Sequence, residues 1–292
     1  MKFLLYINNK SESTRNIIQL TIKIAEGFDA DLNIIVVGKK VGGFMDSEMS
    51  ITQQSLSEWN LYQPGIDLLH WAFNRIIEYG YINENPDVFQ PENFIDENNR
   101  TRIVLPNSSG SKVNLILRSG KLLNELRSES KENKYELTIL ERPNKKRLTH
   151  NLIQFINSSI LIVPYFNPNL KYPILLGVND SKYTKRAVMY SAIISKQFGS
   201  YVKSITVSKT EKFKSGYKNA SKWADKYLKR LKIEHEFHLI TGSAEQKFIQ
   251  ESKNEYIIVI GQADMNEIRK YFFSSKPIQI AQKANCPILI VK

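Results

Sequence analysis

Gly261 closes the apolar run YIIVI at 256–260 and opens the stretch GQADMNEIRKYFFSS, 261–275. An apolar strand ending in glycine, then a polar loop and paired hydroxyls at Ser274 and Ser275, has the outline of a phosphate cradle. Glycine lets backbone N–H groups approach phosphate oxygens and tolerates positive φ, and the N–H groups that open a helix attract anions. Three residues on, where a second glycine would serve that chemistry, stands Asp264. A like charge about 4 Å from a phosphate costs roughly 1 kcal/mol in water and about 4 kcal/mol in a partly buried site. Arg269, Lys270 and Lys276 offset that charge if they point inward. Three readings are open on these residues: a working nucleotide loop, a worn one, or an ordinary strand-to-helix connection.

Other chemistry is excluded more firmly. The four histidines, His70, His150, His235 and His238, and the single Cys286 give no metal-ligand spacing. There is no Ser-His-Asp arrangement, no pair of carboxylates on a common face and no HExxH. GKKVGGF at 38–44 has glycines and lysines without the spacing of a Walker loop and reads as a turn after a strand. Cys286, before Pro287, reads as a small buried hydrophobe rather than a reactive thiol. The segment 209–232 is strongly basic, with Lys214, Lys218, Lys222, Lys226 and Arg230 four apart on one helical face. Ala220, Trp223, Ala224, Tyr227 and Leu231 form its expected apolar stripe. That is an amphipathic helix with a wet lysine face, or a surface for an anion or nucleic acid. Aromatics that could stack on exposed bases are lacking on the lysine face, which disfavours nucleic acid.

The elements that position these residues come from an internal repeat. FLLYINNKSESTRNIIQLTIKIAEGF at 3–28 is similar to ILLGVNDSKYTKRAVMYSAIISKQF at 174–198, with Leu5 on Leu176, Asn8 on Asn179, Arg15 on Arg186 and Ile22 on Ile193. LNIIVV at 32–37 answers VKSITV at 202–207, Gly120 answers Gly242, Tyr135 answers Tyr256, and ILIV occurs at both 160–163 and 288–291. Each half reads as strands alternating with helices, which argues a parallel sheet covered on both faces. From Val37 to Gly120 is 83 positions and from Val207 to Gly242 is 35, so the first half carries 48 extra residues there. Part of this excess, 83–110, is polar and proline-containing and reads as a surface excursion with a small hairpin. In the other direction, the first half is seven residues shorter between Tyr135 and Ile160 than the second between Tyr256 and Ile288.

With 292 residues, 42% of them apolar, the chain has room for two domains. No apolar run approaches the eighteen or so residues of a membrane span. MKFLLYINNKSES reads as a first strand rather than a signal peptide, and one cysteine fits a reducing cytoplasm. The net charge of +12 lies entirely from Lys171 onward, where 22 Lys and Arg face 10 Asp and Glu. Such asymmetry suits an anionic partner for the second half.

These features resemble the universal stress protein family, as a tandem pair in one chain. Asp180 in GVNDS, TG at 241–242, the loop from Gly261 to Ser275 and ANCPILIVK at the end carry the resemblance, which spans nearly all of the second half and, more weakly, the first. The family implies two doubly wound, five-stranded parallel α/β sheets, adenine nucleotide alpha hydrolase-like, in strand order 3-2-1-4-5. It also implies ATP at the carboxyl ends of the strands, where the order reverses. On that template Asp180 lies near the adenosine, Val207 lines the adenine pocket, Ile260 and Gly261 flank ribose and phosphates, and Ser275 keeps the hydroxyl after the third glycine. Asp264 and Ser274 stand where the family has glycines. In the first half the loop has shrunk to ERPNKKRL, 141–148, and Asn9 falls on Asp180.

The expected domains are therefore 1–164, with an insertion around 38–111, and 172–292, joined by the short linker YFNPNLKY. The function expected from the resemblance is stress-related binding or sensing without catalysis, in the cytoplasm, with a degraded nucleotide loop. The alternatives are an ATP-binding switch or weak ATPase in the second half, and anion or nucleic-acid binding through 214–232. No cofactor is expected beyond ATP in the second half. Partners would be a protein or a small ligand rather than a membrane or nucleic acid. The two ILIV strands would meet to make an intrachain pseudo-dimer, open to further homodimerisation.

Overall fold

The computed structural model describes residues 1–38, 51–83, 88–89, 93–96, 100–106, 112–262 and 276–292. The first half runs β1 (Lys2–Ile7), α1 (Glu12–Phe28), β2 (Asp31–Gly38), α2 (Ile51–Glu78), β3 (Ile95–Asp96), β4 (Arg100–Pro106), β5 (Lys112–Ser119), α3 (Leu122–Asn133), β6 (Leu137–Glu141), α4 (Lys146–Phe155) and β7 (Ser159–Val163). The second runs β8 (Ile174–Gly177), α5 (Thr184–Phe198), β9 (Val202–Ser208), α6 (Ser215–Arg230), β10 (His235–Thr241), α7 (Ala244–Ser252), β11 (Ile257–Gly261), α8 (Lys276–Lys283) and β12 (Ile288–Val291).

The strands are apolar on both faces because both faces are covered. In β1, Phe3, Leu5 and Ile7 enter one apolar layer and Leu4 the other; in β8, Ile174 and Leu176 enter the first and Leu175 the second. Local chemistry sets the helix ends. The Ser11 hydroxyl accepts the Thr14 N–H at 3.1 Å to open α1, and Asp29, in the left-handed region with φ of 48°, closes it. Gly199 closes α5 the same way with φ of 56°, a conformation that costs glycine little.

The twelve strands among the described residues join one sheet in the order β10-β9-β8-β11-β12-β7-β6-β1-β2-β5-β4-β3. Each half contributes five parallel strands in order 3-2-1-4-5, namely β5-β2-β1-β6-β7 and β10-β9-β8-β11-β12. The two ILIV runs meet: Ile160, Leu161 and Ile162 pair antiparallel with Ile290, Leu289 and Ile288. Helices close over this seam on both faces. On one, α1 meets α5, where Phe28 and Tyr190 rings make an edge contact at 4.8 Å and Gln197 donates to Glu26 at 3.2 Å. On the other, Arg142 donates to the Ala284 carbonyl at 2.6 Å.

The first half's excess has two parts in the described residues. Helix α2 has 28 residues against 16 in α6, and β4 adds an antiparallel strand to the β5 edge with seven residue pairs. A buried ionic cluster fixes β4. Glu129 of α3, with no exposed surface, accepts two hydrogen bonds from Arg100 at 3.0 and 3.1 Å and one from Arg118 at 2.7 Å. Tyr135 and Asn133 donate to its second oxygen at 2.7 and 2.9 Å. Arg118 also pairs with Glu132 and Glu125. Burial opposes the Glu129 charge, but the hydrogen bonds from Arg100 and Tyr135 prevail and hold its carboxyl below the usual range.

Removing Glu129 leaves two buried guanidiniums short of a counter-charge. Glu129→Ala should lower the unfolding free energy by about 3–5 kcal/mol in urea titrations. A carboxyl whose pKa is lowered by folding stabilises the fold above its unfolded value, about 4.3. The Glu129 contribution should therefore be intact at neutral pH, begin to fall below that value and be lost as the pH drops through the lower folded-state value, so the gap between parent and variant narrows in acid.

Candidate functional site

The chain crosses from one face of the sheet to the other between β8 and β11. Helices α5 and α6 pack on the first apolar layer, α7 and α8 on the second. A crevice outside the carboxyl ends of these strands is where open α/β sheets bind ligands. Four of the seven predicted site residues lie there. Val207 is near the end of β9, Ile260 and Gly261 end β11, and Asp180 is exposed in the turn after β8. Asp264, Ser274 and Ser275, with Arg269 and Lys270, lie outside the described residues.

Asn179 builds the turn that presents Asp180. Its Oδ1 accepts the Ser181 N–H at 2.9 Å and the Thr184 hydroxyl at 2.6 Å. Asp180 then approaches the start of α6, where a Cβ placed on Gly216 would stand 3.0 Å from the Asp180 Cβ. Gly261 has a packing reason of its own. A Cβ there would lie 3.1 Å from the Tyr183 carbonyl carbon and 3.2 Å from the Thr184 nitrogen, so β11 ends pressed against the backbone that opens α5. On the other face, a Cβ on Gly177 would come within 2.7 Å of the Phe248 ring and 2.8 Å of Ile260. The Phe248 ring thus covers β8 beside the Val207 and Ile260 side chains, which belong to the same layer.

The first half preserves the frame and replaces its contents. Asn9 Oδ1 accepts the Ser11 N–H at 2.9 Å and the Thr14 hydroxyl at 2.8 Å, the bonding pattern of Asn179. Asn9 is therefore the counterpart of Asn179, and Lys10 that of Asp180, which corrects the sequence pairing of Asn9 with Asp180. The first strands, β1 and β8, repeat at 171 positions, but the turn after β1 carries one extra residue, so the helices that follow repeat at 170, with Phe28 on Phe198 and Asp29 on Gly199. The pairings of Arg15 with Arg186 and Ile22 with Ile193 fall with it. Strand register puts Glu141 at the Gly261 position. Its carboxylate accepts the Ser13 hydroxyl at 2.9 Å. Tyr6 takes the place of Gly177, and Leu126 that of Phe248.

The basic helix is amphipathic, with one change. Lys214, Lys218, Lys222, Lys226 and Arg230 are exposed, while the buried row is Ser221, Ala224 and Leu228. Ala220, Trp223 and Tyr227 are half-buried beside it, but Leu231 is 47% exposed because the helix ends at Arg230. Cys286 is fully buried, and burial pushes its thiol up to about 11, consistent with an inert side chain. Among the described residues no group of His, Cys, Asp and Glu could hold a metal ion.

Two doubly wound sheets fused along their last strands, each with its switch point at the first and fourth strands, define a tandem, doubly wound α/β protein. No protein-family model and no curated protein matches the sequence. Solved structures do. The whole chain is similar to a universal stress protein from Archaeoglobus fulgidus DSM 4304, at 15% identity, covering 96% of that chain with a TM-score of 0.64. It is similar, at 12% identity, to a Pseudomonas aeruginosa UCBPP-PA14 protein described as of universal stress type, covering 92% of that chain with a TM-score of 0.60. A protein of unknown function from Pseudomonas aeruginosa PAO1 matches at 11% identity over 92% of its chain, also with a TM-score of 0.60. The fold is that of a tandem universal stress protein, adenine nucleotide alpha hydrolase-like in each half.

The exchange of Tyr6 and Leu126 for Gly177 and Phe248 makes a testable pair. Gly177→Ala should destabilise the chain by about 1–3 kcal/mol through overpacking against Phe248. Adding Phe248→Leu should recover part of that loss, and a double-mutant cycle by chemical denaturation should give a coupling of about 0.5–3 kcal/mol. Strict additivity would show that the ring does not set the identity of residue 177.

Proposed function

We propose that this chain is a non-catalytic, stress-related binding protein of the universal stress type, working in the cytoplasm as two units, 1–164 and 172–292, locked into an intrachain pseudo-dimer. The observation that carries this reading is the contrast at the two switch points. The second half keeps an exposed Asp180, with a half-buried Val207 and a side-chain-free Gly261 at the ends of the neighbouring strands. The first half has Lys10 and the Glu141 carboxylate at the corresponding places. Ligand binding by the second half, with a first half serving as scaffold, follows from that asymmetry. Among the described residues no helix is long and apolar enough to cross a membrane.

The ligand class best fitted to the second half is an adenine nucleotide held weakly. Asp180 and Val207 suit the nucleoside end, and the Gly261 backbone suits the approach of ribose or phosphate. The loop beyond it carries Asp264 and Ser274 in place of backbone freedom. Their combined cost, about 2–4 kcal/mol from like charge and backbone strain, moves a micromolar site towards the millimolar range at about 1.4 kcal/mol per tenfold. Mass spectrometry of ligands released from the purified, denatured protein identifies what is retained; the expected outcome is no ATP. In calorimetry the protein should bind ATP no better than about high micromolar, and Asp264→Gly with Ser274→Gly should tighten it by about tenfold or more at nearly constant melting temperature. Tight ATP binding by the unmodified chain would instead support the ATP-binding switch. Density for nucleotide near Lys10 and Glu141 would overturn the scaffold role of the first half.

A further inference from the structure

The two halves treat the same sheet edge differently. In the first, β4 pairs antiparallel with β5, from Arg100 against Arg118 to Pro106 against Lys112. In the second, which lacks the insertion, the equivalent strand β10 ends the sheet. Matching Gly120 to Gly242 puts Leu115 on Phe237 and Leu117 on Leu239. Leu117 is 4% exposed, whereas Leu239 is 47% exposed. The backbone of β10 is bare as well. The Glu234 carbonyl accepts the Val202 N–H, and the Gly242 N–H donates to the Ser208 carbonyl, both in β9. Backbone groups alternate in direction along a strand, so the even residues between these two bonds face β9. The N–H and C=O groups of His235, Phe237, Leu239 and Thr241 face away from it.

Helix α6 overhangs this edge. One side of it turns to α5, where the Lys185 ammonium sits 5.6 Å from the Trp223 ring centre. The other turns to β10, where Asp225 Oδ1 lies 3.1 Å from His235 Nε2. Lys214, Lys218, Lys222 and Lys229 share the Asp225 row, at steps of eleven, seven, three and four residues. All four are exposed. Lys229 pairs with Asp225 at 3.0 Å. Among the described residues the other three have no carboxylate partner. As the crossover between two parallel strands, α6 runs back along β10. From Asp225 to Lys218 is about 10 Å along the helix, and from His235 to Leu239 about 13 Å along the strand, so the lysine row follows the bare edge. On the opposite face of β10, Glu236 already has His238 Nε2 at 3.2 Å and Lys203 Nζ at 3.8 Å.

We propose that the free edge of β10 docks an extended acidic segment of a partner protein. The segment adds one more strand to the sheet, antiparallel as β4 is to β5, with its carboxylates on the α6 face. The four outward-facing residues supply main-chain hydrogen bonds, and the lysine row selects the charge. A second copy of the chain fits poorly. Pairing β10 with β10 would bring two such lysine rows together, in the half that carries the whole net charge of +12. The edge needs no ligand at the switch point, so this surface is independent of nucleotide binding there.

Calorimetry of the full chain with a capped peptide of alternating Glu and Val, as long as the seven residues of β10, tests this against the same peptide with Lys for Glu. The acidic peptide should bind at least about tenfold more tightly than the basic one. Leu239→Pro removes an N–H that faces away from β9 and leaves that ladder whole; it should weaken the acidic peptide by about tenfold or more. Lys218→Gln with Lys222→Gln should weaken it by about threefold to tenfold. Both lysines are exposed, so this variant decides should Leu239→Pro fail to fold by circular dichroism. No binding of the acidic peptide, equal binding of the two peptides, or unchanged affinity in a folded variant overturns the proposal. So does a parent chain that sediments as a dimer and becomes monomeric in Leu239→Pro, which would assign the edge to a second copy.

Discussion

The seam between β7 and β12 is the constraint from which the rest of the architecture follows. Every residue of both strands is buried, so each strand is covered on both faces and also along its hydrogen-bonding edge. A single half would expose an apolar edge with unpaired backbone groups, a template for aggregation. Pairing the two edges removes both. It also merges the cores: each of the two apolar layers contains residues from both halves. Because the pairing is antiparallel, the first-half strands point opposite to the second-half strands. The two switch points therefore open on opposite rims of the common sheet.

Within that frame the halves diverged by local exchanges that conserve what packing and charge require. A tyrosine over a leucine in one half becomes a glycine under a phenylalanine in the other, with Tyr6 and Leu126 answering Gly177 and Phe248. Glu141 beside Ser13 becomes Gly261 beside Tyr183. Each exchange moves bulk from one partner to the other, which cores accept far better than added volume. The charge pair of Lys203 and Glu251 becomes Glu129 held by two cations, Arg118 of β5 and Arg100 of the added hairpin. A buried carboxylate cannot lose its counter-charge without a large cost, so the hairpin and Glu129 constrain each other.

Much of this order was readable from residues alone. Doubly apolar strands, the repeated ILIV and the shared Asn motif fixed the alternation of elements, and the family resemblance supplied the strand order. What escaped had physical reasons. The one-residue slip between strands and helices was hidden because Arg15 and Arg186 are identical in type, while the true register is set by a side chain, Asn9 or Asn179, bonding two and five residues ahead. The ionic cluster joins Arg100, Arg118 and Glu129 across distances in sequence that no periodicity reveals. Leu231 fits the apolar stripe by spacing but lies past the last helical turn.

The role of Gly261 shows why a motif needs its surroundings before it carries chemistry. In the sequence, a glycine after an apolar strand suggests phosphate approach. In the structure, the absence of a side chain is already favoured by the close backbone of Tyr183 and Thr184. The first half satisfies the same position with a glutamate because its neighbour is Ser13. A glycine at this place is thus explained by packing whether or not nucleotide binds, and it cannot distinguish a working loop from a worn one. The discriminating residue is the one with no packing reason to be what it is: Asp180, exposed at the end of a turn that Asn179 alone would build. Under the proposed reading, Asp180 suits the nucleoside end of an adenine nucleotide while the loop sequence with Asp264 and Ser274 disfavours its phosphates, so the nucleoside end should dominate recognition by this half.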